Sequence, residues 1–161
     1  MIEKKKNLSD FTPFEFSSAK NMKIGIVVSE WNDRITDSLF NGAKETLLQQ
    51  GVREENILVK HVPGSFELPL GAQWLLEKTN VDAVICIGCV IQGETRHFDF
   101  ISQAVADGIT NVGLKFSKPV IFSVLTCNTM EQAEDRAGGK HGNKGVEGAV
   151  TALKMLSLEF L

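Results

Sequence analysis

Four short runs of the chain are too apolar to lie in a sheet with one face in water. They fall at residues 22–29 (MKIGIVVS), 57–62 (ILVKHV), 81–87 (VDAVICI) and 119–125 (PVIFSVL). The third is the most apolar and is rich in β-branched residues, as a strand buried on both faces should be. Each run leads into a helical pattern. Ile35, Leu39, Ala43 and Leu47 share one face after the first, and Phe98, Ile101, Val105, Ile109 and Val112 share one after the third. A last helix from Lys144 turns Val146, Ala149, Val150, Leu153, Leu156 and Phe160 inward. Strand then helix, four times over, predicts an α/β fold: a flavodoxin-like three-layer sandwich with a four-stranded parallel sheet flanked by helices. Ligands of such sheets bind outside the carboxyl ends of the strands.

The 161 residues make one domain large enough for a real core. We divide the chain into an arm at 1–18 and a single domain at 19–161. The arm is polar but carries Phe11, Phe14 and Phe16, which want burial, so it is expected to pack on a neighbouring subunit. A net charge of −3 argues against nucleic acid as a partner. No apolar run approaches the roughly 18 residues of a membrane span, and the lysines near the start lead into no apolar segment, which makes the cytoplasm the expected location.

The unusual polar segments all fall where the carboxyl ends of the strands are expected: 30–33, 63–67, 88–97 and 126–128. Of these, 88–97 is the richest. We read Gly88 and Gly93 as freeing the backbone to turn from strand to helix, which exposes the N–H groups of Glu94 and Thr95. A helix start of this kind offers free donors and partial positive charge to an anion. His97, next to it, titrates near neutral pH. An anion cradle beside an acid–base group suits a small phosphorylated molecule, although a plain turn with a surface histidine has the same local sequence. At 63–67, Ser65 is placed to cap a helix and Glu67 to favour its first turn. Pro69 comes early enough in that helix to be tolerated.

Three cysteines make no disulfide framework. Cys86 and Cys89 form a C-x-x-C, but Cys86 lies inside the buried strand rather than at a helix start, and no second ligand pair completes a zinc site. We read the pair as structural and expect no metal. The glycine-rich stretch 138–145, which follows a short helix at 130–137, looks like a phosphate loop, yet neither common nucleotide motif can be threaded through it.

Taken together, Trp31-Asn32, the segment 63–69 (PGSFELP), the segment 88–99 (GCVIQGETRHFD), 131–138 (EQAEDRAG) and 142–145 (GNKG) resemble the lumazine synthase family of the riboflavin pathway. The motifs stand in family order and spacing from about Met22 to the end. The resemblance implies condensation of 5-amino-6-(D-ribitylamino)uracil with 3,4-dihydroxy-2-butanone 4-phosphate. It also implies release of phosphate and water, and no cofactor. Chemistry of that kind depends on positioning and one acid–base group more than on a strong nucleophile.

Carried over residue by residue, the resemblance makes His97 the proton-transfer residue. Trp31, where the family often has Phe, stacks on the pyrimidine with Asn32 beside it, and Cys89, Val90 and Ile91 meet the same ring. Ser65, Phe66 and Glu67 hold the ribityl chain. Glu94 and Thr95 belong to the phosphate loop, with the backbone binding and the Glu94 carboxylate turned away, and Arg136 is the phosphate-binding cation. Phe122 reaches the pyrimidine from a neighbouring subunit, and Lys144 supports the second substrate. Without the resemblance, Arg136 reads as a solvated helix charge, Glu67 serves equally as a helix-start charge, and the core-aromatic alternative for Trp31 is weakened by its polar turn. His61 and His141 match no catalytic position.

Members of the family form pentamers, decamers or hollow shells of sixty chains. The compact link at 138–143 resembles the shell-forming members, so we expect a 60-subunit shell of pentamers, with riboflavin synthase as a candidate partner. Two other readings stay open at this point. A flavin- or lumazine-binding module on the same fold would need the aromatic pocket but neither His97 nor Arg136, and a purely shell-forming protein would leave the site idle.

Overall fold

A computed structural model describes residues 8–10 and 19–158. Four parallel strands form the sheet: β1 (Ile24–Ser29), β2 (Ile57–Val62), β3 (Ala83–Ile91) and β4 (Val120–Cys127), in the order β2-β1-β3-β4. The helices are α1 (Asp33–Gln49), α2 (Leu68–Lys78), α3 (His97–Phe116), α4 (Met130–Asp135) and α5 (Lys144–Leu158), and a hairpin of β5 (Ala137–Gly139) and β6 (Gly142–Asn143) joins the last two.

Alternation along the strands builds two cores. Ile24, Ile26 and Val28 of β1 and Ala83, Ile85 and Ile87 of β3 face α1 and α5, where they meet Leu39, Leu47 and Leu153. Val27, Val84 and Cys86 point the other way, onto Leu68, Leu75, Val105 and Ile109 of α2 and α3. Ile85 and Ile87 are wholly buried. Burial of such a side chain contributes about 1.5–3 kcal/mol. Helix α1 ends where Gly51 adopts φ +98°, a conformation that costs any other residue strain.

Several expectations are revised, and the fourth strand spans Val120–Cys127 rather than 119–125. The first strand starts at Ile24 rather than Met22. The third runs on to Ile91, so Cys89, Val90 and Ile91 are strand, not loop. Gly88 does not turn the chain; a Cβ there would lie 2.4 Å from Ser65 Oγ and 2.9 Å from Leu68. Its glycine is needed for close packing of the 65–68 segment on the sheet. Ser65 makes no cap, because residues Ser65–Glu67 form a 3-10 turn before α2, and Glu67 Oε2 accepts from the Gly64 N–H at 3.0 Å instead. The expected helix at 130–137 stops at Asp135, and the glycine-rich link beyond it is the β5–β6 hairpin.

Phe11, Phe14, Phe16 and Phe160 lie outside the described residues. The short turn Leu8–Asp10 lies on its own chain, where Ser9 Oγ donates to the Asn143 carbonyl and accepts from the Asn143 N–H, at 3.1 and 3.0 Å.

Candidate active site

The strand order reverses direction between β1 and β3, because the chain goes from β1 outward to β2 and then crosses back. A crevice opens at such a point, beyond the carboxyl ends. Here it is a cavity of about 280 Å³, lined by Trp31 and Asn32 after β1, the 64–67 turn after β2, Cys89, Val90 and Ile91 at the end of β3, and His97 and Ile101 on α3. Three of the four polar segments therefore converge. The fourth does not join them: none of residues 126–128 lines this cavity.

Each wall has a local cause. Trp31 is 74% exposed, with its place set by its backbone N–H, which donates to the Pro63 carbonyl at 3.1 Å. An indole this open in a polar turn is no core aromatic. Phe66, 58% exposed, offers a second bare aromatic face. Ser65 is buried against Gly88. The Gln92 N–H bonds to Cys127 on the β4 side, so by alternation the Ile91 N–H turns toward the crevice. His97 is exposed at the first turn of the 20-residue helix α3, after the exposed Glu94 and Thr95. Its N–H approaches Thr95 Oγ1 at 3.4 Å.

The remaining expected site residues stand apart. Phe122 and Lys144 line a different cavity of about 310 Å³ against β4, where Lys144 Nζ pairs with Glu147 at 3.0 Å. Arg136, half-buried just after α4, donates to the Gln132 carbonyl at 2.9 Å and pairs with no carboxylate among the described residues. Helix α4 buries Ala133 in the α1/α5 core, whereas α3 packs on the α2 side, so Arg136 and His97 belong to opposite faces of the sheet. One chain gathers the aromatic and acid–base half of the set and leaves the cationic half elsewhere. A larger groove of about 560 Å³, at the amino end of β4, is mostly apolar and shares Val120 and Ile121 with the Phe122 cavity, but none of the expected site residues lines it. Its only titratable lining residue is Lys118, which is held by the Val81 carbonyl at 2.9 Å.

No group of three His, Cys, Asp or Glu side chains comes together among the described residues as a metal centre would require. Nor do the cysteines offer a nucleophile. Burial pushes the thiols of Cys86 and Cys89 up to about 12. Burial also raises Cys127, partly offset by the Arg136 charge nearby. Cys86 and Cys89, three apart on one strand, face opposite cores.

The profile of the 6,7-dimethyl-8-ribityllumazine synthase family matches residues 21–159. The chain belongs to the 6,7-dimethyl-8-ribityllumazine synthase family. A protein of that name from Cytophaga hutchinsonii is 62% identical over 152 residues, covering 94% of this chain and 95% of its own. Another, from Porphyromonas gingivalis, is 56% identical over 153 residues, covering 95% of each. A third, from Flavobacterium johnsoniae, is 53% identical and covers 96% of this chain and 82% of its own.

For a lumazine synthase family member, two lining residues were given no role in the sequence reading: Gly64, within the 63–67 segment, and Ile101. Ile101 is one helical turn beyond His97, so the i, i+4 spacing would have placed both on one face. The protonated thiols also give a testable consequence. A folded-state pKa raised above the unfolded one means stability that is full below the ordinary thiol pKa of 9.0 and is lost as pH climbs toward about 12. We expect thermal stability to decline through that window, and Cys86→Ala to flatten the decline. Melting temperatures at several alkaline pH values, measured on both proteins, check this.

Proposed function

We propose that this chain condenses 5-amino-6-(D-ribitylamino)uracil with 3,4-dihydroxy-2-butanone 4-phosphate to give 6,7-dimethyl-8-ribityllumazine, phosphate and water, acting as a transferase in riboflavin synthesis. The observation that carries this is the family match across residues 21–159, which takes in the whole crevice. The decisive experiment follows the absorbance of the product after the two substrates are mixed with purified protein. Product formation at the uncatalysed rate would overturn the assignment.

In this reading the Trp31 face stacks on the pyrimidine, and the backbone at Cys89, Val90 and Ile91 meets the ring edge. Asn32 belongs to the same wall. Ser65, Phe66 and Glu67 hold the ribityl chain. Glu67 has its second carboxylate oxygen left to accept hydroxyl bonds, the first being used by Gly64. Backbone donors at Glu94 and Thr95 and the guanidinium of Arg136 bind the phosphate of the other substrate. His97 moves protons during imine formation, phosphate loss and ring closure. No cofactor takes part.

The separation of His97 from Arg136, Phe122 and Lys144 within one chain supports a site shared between neighbouring subunits. Phe122, Arg136 and Lys144 would come from one and Trp31, Glu67 and His97 from the next. A ring repeats such a head-to-tail contact around its axis, which suits pentamers and, with the short link at 138–143, a shell of sixty. The arm at 1–18 then packs on a neighbour, and riboflavin synthase, which consumes the product, is the natural partner. We place the protein in the cytoplasm. No helix among the described residues is long and apolar enough to cross a membrane. Light scattering after size exclusion tests the assembly, and a particle of five chains would rule out the shell.

The division of labour is also measurable. Arg136→Ala should raise KM mainly for the phosphorylated substrate. Trp31→Ala should weaken the pyrimidine by about 1–3 kcal/mol, as loss of a stacking face does at other base sites. Equal effects of both variants on both substrates would refute it.

A further inference from the structure

Asn32 is one of two residues other than glycine with positive φ among the described residues, at φ 61° and ψ 47°. Asparagine tolerates that region better than most residues, but a site must still hold it there. Asn32 precedes the first turn of α1, where such a residue often caps the helix, yet its side chain makes no capping bond. Its Nδ2 instead donates 2.9 Å across to the carbonyl of Cys89 on β3.

The register explains why that carbonyl needs a donor. β1 pairs with β3 only as far as Val28 with Ile87, and then turns away at Glu30, while β3 runs on to Ile91. Beyond Ile87 the β1 side of β3 has lost its neighbour, and this gap is the crevice. The Asn32 carboxamide stands in for the next rung of the ladder. Trp31 has no such anchor of its own: the residue is 74% exposed, and its backbone N–H is tied on the other side, to Pro63.

We propose that Asn32 is a positioning residue, not a substrate contact: its carboxamide fixes the distance between the Trp31 face and the end of β3, so that both meet one ring at once. This rests on the assignment of the pyrimidine to Trp31 made above. Misplacing a binding face by about an ångström is enough to cost much of its contribution.

The test uses full-length protein carrying Trp74→Phe as the parent, which leaves Trp31 as the only tryptophan of the two in the sequence. Asn32→Gly keeps the positive φ and removes the tether, and Asn32→Asp keeps the shape but turns an acceptor toward the carbonyl. Time-resolved anisotropy of Trp31 without ligand reads the tether directly, and we expect faster local depolarisation in both variants. With substrates, we expect KM for the pyrimidine to rise about tenfold, with kcat and the other KM changed less than about twofold. In a Trp31→Ala background, read by product absorbance, Asn32→Gly should cost nothing further, because a residue acting through Trp31 has nothing left to position.

Unchanged anisotropy in both variants would overturn the proposal. So would additive losses in the double variant, which would mean that Asn32 touches the substrate itself. A change in anisotropy with pyrimidine KM unaffected by Trp31→Ala would instead fail the assignment of the pyrimidine to Trp31 while the tether stood. Should Asn32→Gly not fold, Asn32→Asp carries the same readouts.

Discussion

Replacing His97 with alanine should slow turnover by about ten- to a thousandfold while leaving the fold and pyrimidine binding nearly intact. The fold is insulated because the imidazole is exposed at the first turn of α3 and lies outside both cores. Helix α3 is held instead by Val105, Ile109 and Val112, two turns or more further on. Pyrimidine binding is insulated because the contacts assigned to the ring come from Trp31 and the end of β3, and those assigned to the ribityl chain from the 65–67 turn. What the substitution removes is the group to which the proposed mechanism gives the proton transfers. The range is wide because positioning of two substrates in a crevice supplies part of the acceleration whether or not a base is present. Single-turnover kinetics with saturating pyrimidine separates the two contributions. A chemical step that keeps its rate in His97→Ala would remove His97 from the mechanism.

How much of this was legible beforehand depends on what each residue answers to. Ile57–Val62 matched its expected strand because a break on either side brackets the run: the helix end at Gly51 and Pro63-Gly64. β3 was cut short because Gly88 looks like a turn residue, and nothing local reveals that it is small to admit Ser65, 23 positions away in sequence. Ser65 was misread as a cap for the same reason. Its partner is the sheet, and a pattern of caps sees only neighbours along the chain. The crevice was readable because the carboxyl ends of parallel strands gather their loops whatever the details of those loops. Trp31, Asn32, the 65–67 turn, Cys89, Val90, Ile91 and His97 therefore all arrived in one cavity. The Asn32–Cys89 tether was not readable. It depends on where β1 leaves the sheet, which is set by register rather than by residue type.

A mixture of two impaired variants, assayed with the phosphorylated substrate well below the raised KM of Arg136→Ala, should recover activity. His97→Ala and Arg136→Ala chains, unfolded and refolded together in equal amounts, test whether the site is shared. Helix α4, which leads to Arg136, buries Ala133 on the α1/α5 side of the sheet, His97 begins a helix that packs on the other side, and Arg136 does not line the crevice that holds His97. In a head-to-tail ring each site would take His97 from one subunit and Arg136 from the next. Random mixing then leaves roughly a quarter of the interfaces with an intact residue on each side. Those sites should turn over at the native rate, so the refolded mixture should approach a quarter of wild-type activity, above either variant alone. The physical gain from sharing is depth. The crevice holds about 280 Å³, near the lower limit for a small-molecule site, and it must take a ribityl-bearing pyrimidine together with a phosphorylated second substrate. A neighbour's edge carrying Phe122 and Arg136 would close it against water and supply the missing cation. Were both residues to act within one chain, no mixture could rebuild a site. Mixed assemblies with no more activity than the separate variants would therefore refute sharing.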